Sequence, residues 1–220
     1  MRRRTAHATV FTVDIVGVAE HPLETLEDRA RTLAELAEIF DEVGSDHALI
    51  GGIAVGYHAR RRATIDVDML VPRDRLEALA SAFRMRGYVV TQPPDMVRVY
   101  PSGADPAEDE AIADLLAWDA NPVLREAARV AVPAKVLGHD VRIVPRGALV
   151  ALKFHAATSS RRASLDRQQG VVDMGRVIEK RWALADEQLA LRIASLCYPG
   201  AEVELAAVID DLKNGRRVRI

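Results

Sequence analysis

The chain has one cysteine, four lysines against 26 arginines, and no apolar run near the ~20 residues that a bilayer-spanning helix needs. Each scarcity removes a class of protein. The lone thiol, Cys197, excludes a disulfide within the chain and fits a reducing cytoplasm; set among apolar residues, it reads as packing. The missing apolar run excludes a membrane-spanning helix. The opening Met1-Arg-Arg-Arg-Thr5 has the charge of a signal leader, but the run that follows is broken by Asp14 and lacks a small-residue cleavage site. Residues 9–18 are therefore read as a strand, and the protein is expected to be cytoplasmic, with no membrane partner. The six histidines show no ligand spacing, so zinc is not expected. A formal net charge of −2 gives no global signal for nucleic acid, and no repeat or low-complexity tract is visible.

What is present is a chain of 220 residues, 49% hydrophobic, long enough to bury a sizeable core. Apolar spacing predicts a helix over 23–43, a strand over 47–50, a short helix over 53–59, a strand over 64–71 and a helix over 73–86. Strands 88–91 and 96–100 follow, joined by a turn at 92–95, then an acidic loop over 101–110 and a strand over 111–118. A helix over 121–130 has Asn121 as N-cap and Pro122 at its first position. A hairpin over 135–144 turns around Gly138-His139. Beyond it only helical spacing remains, at 147–158, 166–181, 186–196 and 201–212, with a flexible joint at 159–164. The expected fold class is α+β: a mixed-sheet domain flanked by helices over 1–145, then a small helical domain over 146–220. Charge divides along the same boundary, with 13 basic against 9 acidic residues after Pro145 and 17 against 23 before it.

The richest stretch runs from Ala48 to Val71. Gly51-Gly52 ends the run Ala48-Leu49-Ile50 and is expected to form a tight turn into a helix. Glycine lets a ligand approach the backbone, and the N–H groups of a helix's first turn attract anions. Downstream, strand alternation puts Thr64, Asp66 and Asp68 on one face. Two carboxylates on one strand face repel each other and oppose ionisation. A solvated edge strand would tolerate them; the glycine pair favours a phosphate cradle beside a hard-cation site, for which Mg²⁺ suits carboxylate, water and phosphate oxygens. Asp114 is the single charge in the apolar strand 111–118, where an ionised group needs a metal or an ion-pair partner.

Gly51-Gly52, the Arg62-x-Thr64-x-Asp66-x-Asp68 strand and Asp114 together resemble the DNA polymerase β-like nucleotidyltransferase superfamily, over residues 45–180. Within it the chain is most similar to the minimal and AbiEii-type (type IV toxin-like) enzymes, whose downstream helices carry a lysine and an aspartate. Lys153 and Asp173 stand in those places. The Lys-Asp dipeptide that many relatives carry before the final aspartate is Gln169-Gly170 here, and Ile53 replaces the serine that follows the glycines in polymerases. The resemblance implies transfer of an NMP from an NTP such as ATP to a hydroxyl acceptor. Two Mg²⁺ ions would be held by Asp66, Asp68 and Asp114, and Gly51, Gly52, Arg62, Thr64, Lys153 and Asp173 would contact the nucleotide. AbiEii-type toxins imply an RNA acceptor, commonly tRNA, and an antitoxin partner. An antibiotic- or protein-modifying enzyme, or an inactive nucleotide-binding half of a toxin–antitoxin pair, stays open.

Overall fold

A computed structural model describes residues 26–59, 66–159 and 164–218. The strand expected over 9–18 and most of the joint at 159–164 lie outside them. Helix α1 (Leu26–Val43) buries Leu33, Leu36, Ile39 and Phe40 at helical spacing. It leads to β1 (Ala48–Leu49), α2 (Gly51–His58) and β2 (Val67–Val71). A 3₁₀ turn at Arg73–Arg75 opens α3 (Leu76–Met85), followed by β3 (Val89–Thr91), β4 (Met96–Tyr100) and β5 (Ala113–Ala117). After a 3₁₀ turn at Trp118–Ala120 come α4 (Pro122–Arg129), β6 (Val132–Val136) and β7 (His139–Ile143). The chain closes with α5 (Arg146–Thr158), α6 (Ser164–Glu179), α7 (Leu184–Ala194) and α8 (Ala201–Lys213). This is the expected class: a mixed sheet, flanked by helices, then helices alone.

The seven strands lie in the order β3-β4-β5-β2-β1-β7-β6. Strands β2 and β5 run parallel, as do β1 and β7, and the remaining neighbours are antiparallel. Because β1 opposes β2, one end of the sheet gathers the starts of β2 and β5 with the finishes of β1 and β7. Helices α2 and α5 both begin at that end. Two ties hold them there: Val144 N–H donates to the Leu49 carbonyl at 3.2 Å, and buried His58 donates from Nε2 to the Val144 carbonyl at 2.7 Å. Burial keeps the His58 imidazole below its ordinary pKa, so it bonds as the neutral ring.

Three local expectations are corrected. No separate turn precedes α2: both glycines belong to its first turn, and Gly51 alone takes a positive φ of 66°. The hairpin turns one residue earlier than expected, at Leu137 (φ 49°) and Gly138 (φ 92°), the left-handed pair that matches strand twist in a two-residue loop. Strand β6 accordingly starts at Val132 rather than Lys135. The cap on α4 is as read, with the Asn121 side chain accepting from Leu124 N–H at 3.0 Å.

One buried apolar cluster runs from Leu33 and Phe40 through Met69, Leu115 and Ile143 into Leu149, Phe154, Ile193, Leu205 and Ile209. The terminal helices thus share their core with the sheet. Gly147 sets the approach of α5 to α7, because a Cβ there would lie 2.2 Å from the Asp186 carbonyl oxygen. Alanine favours helices over glycine, yet Gly147→Ala must push two helices apart. Thermal melts should show it losing roughly 1–3 kcal/mol despite the better propensity.

Glu126 joins α4 to α7. It accepts from Arg129 Nε and Nη2, each at 2.6 Å, and pairs with Arg192. The Arg129 bonds, with that from Arg192 against a burial cost, pull its carboxyl from the ordinary 4.5 down to about 2. A carboxyl that titrates lower folded than unfolded stabilises fully above the unfolded value and loses that stabilisation as pH falls through the folded one. Glu126→Gln should therefore cost about 1 kcal/mol near neutrality. The gap to wild type should narrow as melts are taken from pH 4.5 towards about 2.

Candidate active site

Asp68 is the second residue of β2, Asp114 the second of β5, and the parallel register sets them directly opposite one another. Asp66 lies just before β2. One carboxylate oxygen from each of the three comes within 4.8 Å of the others, and all three side chains are half-buried. Like charges facing across adjacent strands are destabilising, and partial burial strengthens the repulsion. Three hard oxygen donors converging at such spacing suit a divalent cation such as Mg²⁺. This is the group among the described residues that fits a metal.

Two walls enclose the carboxylates. On the β1 side, Ile50 N–H donates to the Asp68 carbonyl at 3.0 Å, and the chain turns at once into α2. A Cβ on Gly51 would fall 1.7 Å from Asp68 Oδ2. Glycine is thus required here twice, by its left-handed φ and by the carboxylate that fills the side-chain space. On the β4 side, Arg98 pairs in register with Asp114. Its Nη2 donates to Oδ2 at 3.3 Å and its Nε lies 3.3 Å from Oδ1, one hydrogen bond and one charge contact on the same carboxylate.

A second group spans α5 and α6. Lys153 Nζ is 2.9 Å from Asp173 Oδ2, and Asp173 is fully buried. Gln169 Nε2 donates to Oδ1 at 3.0 Å and Arg176 Nη1 stands 3.6 Å from it. A carboxylate so desolvated persists only with such compensation. Helices α5 and α6 approach closely at this level, since a Cβ on Gly170 would meet the Lys153 carbonyl at 3.4 Å. Helix α2, whose first turn walls Asp68, packs against both.

The structure therefore brings Asp66, Asp68 and Asp114 together, lays Gly51 against Asp68 and pairs Lys153 with Asp173. Arg62 and Thr64 lie outside the described residues. Sequence reasoning missed Arg98, although the signal that singled out Asp114 applies to it: one charge in the middle of an apolar strand, Met96–Tyr100. Gln169, noted in the sequence only as a departure from a motif, spends its amide on Asp173.

No protein-family model matches the chain, and no curated protein matches it in sequence. Solved structures do. An antigenic nucleotidyltransferase-like protein from Paracoccidioides brasiliensis is similar over 84% of this chain and 93% of its own, at 15% identity and a TM-score of 0.50. The fold is nucleotidyltransferase-like. The antibiotic-resistance factor ANT(2'')-Ia overlaps 87% of this chain and 92% of its own at 16% identity, with a TM-score of 0.48. The lincosamide antibiotic adenylyltransferase LnuA, solved with lincomycin bound, overlaps 67% and 96% at 10% identity and a TM-score of 0.46.

Within this nucleotidyltransferase-like fold the crowded carboxylates carry a measurable consequence. Mg²⁺ or Mn²⁺ at about a hundredfold excess over Kd should raise the wild-type melting temperature by roughly 5 °C. Asp68→Asn should melt higher than wild type without cation and lose most of the response. Equal responses in the two proteins would put the cation elsewhere.

Proposed function

We propose that the protein is a metal-dependent nucleotidyltransferase that moves an NMP from an NTP to a hydroxyl acceptor, releasing pyrophosphate. The observation that supports this most is the convergence of Asp66, Asp68 and Asp114 against the glycine-opened start of α2. Asp66 and Asp68 would hold the Mg²⁺ that accompanies the triphosphate, and Asp114 would complete a second position. A pair of such ions, when bound, offsets charge on the attacking and leaving oxygens of an in-line displacement. Backbone amides of Gly51 and Gly52 would receive phosphate oxygens, with Arg62 and Thr64 as further contacts. Lys153 would balance charge near the departing pyrophosphate. Asp173 would act as its positioning residue, since the 2.9 Å pair fixes the ammonium from behind. In the transfer step the acceptor oxygen bonds to the α-phosphorus, the α–β bridging oxygen leaves with pyrophosphate, and the hydroxyl proton passes to a carboxylate oxygen of Asp114.

The acceptor proposed is RNA, in line with the AbiEii-type resemblance and with the excess of basic over acidic residues after Pro145. With it go the proposals of a helical unit over 146–220 that selects the acceptor and of a cytoplasmic site of action, and the resemblance adds that of a toxin-like role with an antitoxin partner. The test is to incubate the protein with each α-labelled NTP, Mg²⁺ and either total RNA or a panel of hydroxyl-bearing antibiotics. RNA should take up label, and Asp68→Ala, its fold verified by circular dichroism, should lower transfer on the order of a thousandfold or more. Label on an antibiotic instead would move the acceptor to the small-molecule class. No label on any acceptor would sink the enzymatic reading.

A further inference from the structure

The three strands β4, β5 and β2 set Arg98, Asp114 and Asp68 side by side in one row across the sheet. Asp114 sits between a guanidinium and a carboxylate. Its side chain is only 14% exposed, whereas that of Arg98 is 45% exposed, so the arginine can leave towards water while the aspartate cannot. Arg98 hydrogen-bonds Asp114 Oδ2 and stands 3.3 Å from Oδ1, so its positive charge lies where a cation at Asp114 would have to come. A guanidinium is charged at every working pH, and its fork suits a carboxylate better than an ammonium does. Asp66, Asp68, Asp114 and Arg98 together carry three negative charges and one positive. A second cation at Asp114 meets the Arg98 charge at once, and a polyanion arriving with the ion screens that repulsion.

From this geometry we infer that Arg98 is a positioning residue that stands in for the second divalent ion in the nucleotide-free protein. One ion binds first; the second enters with the triphosphate, whose charge admits it, and the Arg98 grip on Asp114 is exchanged for the ion. The inference rests on the nucleotidyltransferase reading and adds the order in which its site fills.

The test uses Mn²⁺ alone, followed by electron paramagnetic resonance and calorimetry on the full chain, with Asp68→Asn as the control that must lose the tight ion. Wild type is expected to bind one Mn²⁺ tightly without nucleotide and a second only when a non-hydrolysable NTP is added. Arg98→Gln is expected to bind the second ion without nucleotide, at least about tenfold more tightly than wild type does. Arg98→Lys keeps the charge without the fork. It should keep the wild-type Mn²⁺ stoichiometry, and Arg98→Met, which removes the charge but keeps an apolar stem, is read in place of Arg98→Gln if that variant does not fold. Identical Mn²⁺ isotherms for wild type and folded Arg98→Gln, in a protein that binds Mn²⁺ and transfers label, would overturn the inference alone. Two Mn²⁺ ions on nucleotide-free Arg98→Lys would do the same. Absence of Mn²⁺ binding and of label transfer in wild type would overturn the nucleotidyltransferase reading and this inference with it.

Discussion

Asp68 and Asp114 face each other, half-buried, across two parallel strands in the middle of a seven-stranded sheet. Much of the surrounding structure answers that conflict. Arg98 approaches Asp114 from one side, and the backbone at Gly51 leaves room for the Asp68 carboxylate on the other. Apolar residues with no opening to solvent flank the pair along both strands: Val67, Met69 and Leu70 on β2, Ala113 and Leu115 on β5. An alternating strand buried on both faces would be more stable with two valines at these positions. Charges placed there and compensated piecemeal are what support the proposal of a cation site at this end of the sheet.

The same end of the sheet explains why helices far apart in sequence converge. Strands β1 and β7 finish beside each other, so α2 and α5 start beside each other, and the His58 bond to Val144 locks that arrangement. Lys153 projects from α5 two turns further on, where α6 brings the buried Asp173 to it. A lysine held by a buried carboxylate has a fixed place at little entropic cost, which a free surface lysine lacks. The terminal helices therefore serve as the back wall of the sheet end as well as a layer over the shared core.

Much of this was legible in the residues because the signals were local. Apolar spacing gave the helices and strands, Asn121-Pro122 gave a helix start, and the charges at Asp66, Asp68 and Asp114 stood out against apolar neighbours. What local pattern could not give was pairing across the sheet. Arg98 and Asp114 are 16 residues apart and meet only because β4 and β5 pair in one register. Gly51 looked like a turn residue because a positive φ is usual in turns; in the structure the same conformation opens a helix and clears space for Asp68, a reason that depends on a strand 16 residues later. Leu137 in a left-handed conformation runs against residue preference, and the strand pairing of β6 with β7 imposes it. The resemblance singled out Lys153 and Asp173, and their pairing emerges only from the packing of α5 on α6.

The central claim is that the three aspartates form one cation site that receives a nucleotide. Crystals of the full chain grown with Mn²⁺ and a non-hydrolysable NTP analogue, measured for anomalous scattering at the manganese edge, test it most directly. The account predicts anomalous peaks coordinated by Asp66, Asp68 and Asp114, with the triphosphate at the start of α2. Manganese bound away from these carboxylates, or a nucleotide seated elsewhere on the protein, would contradict it.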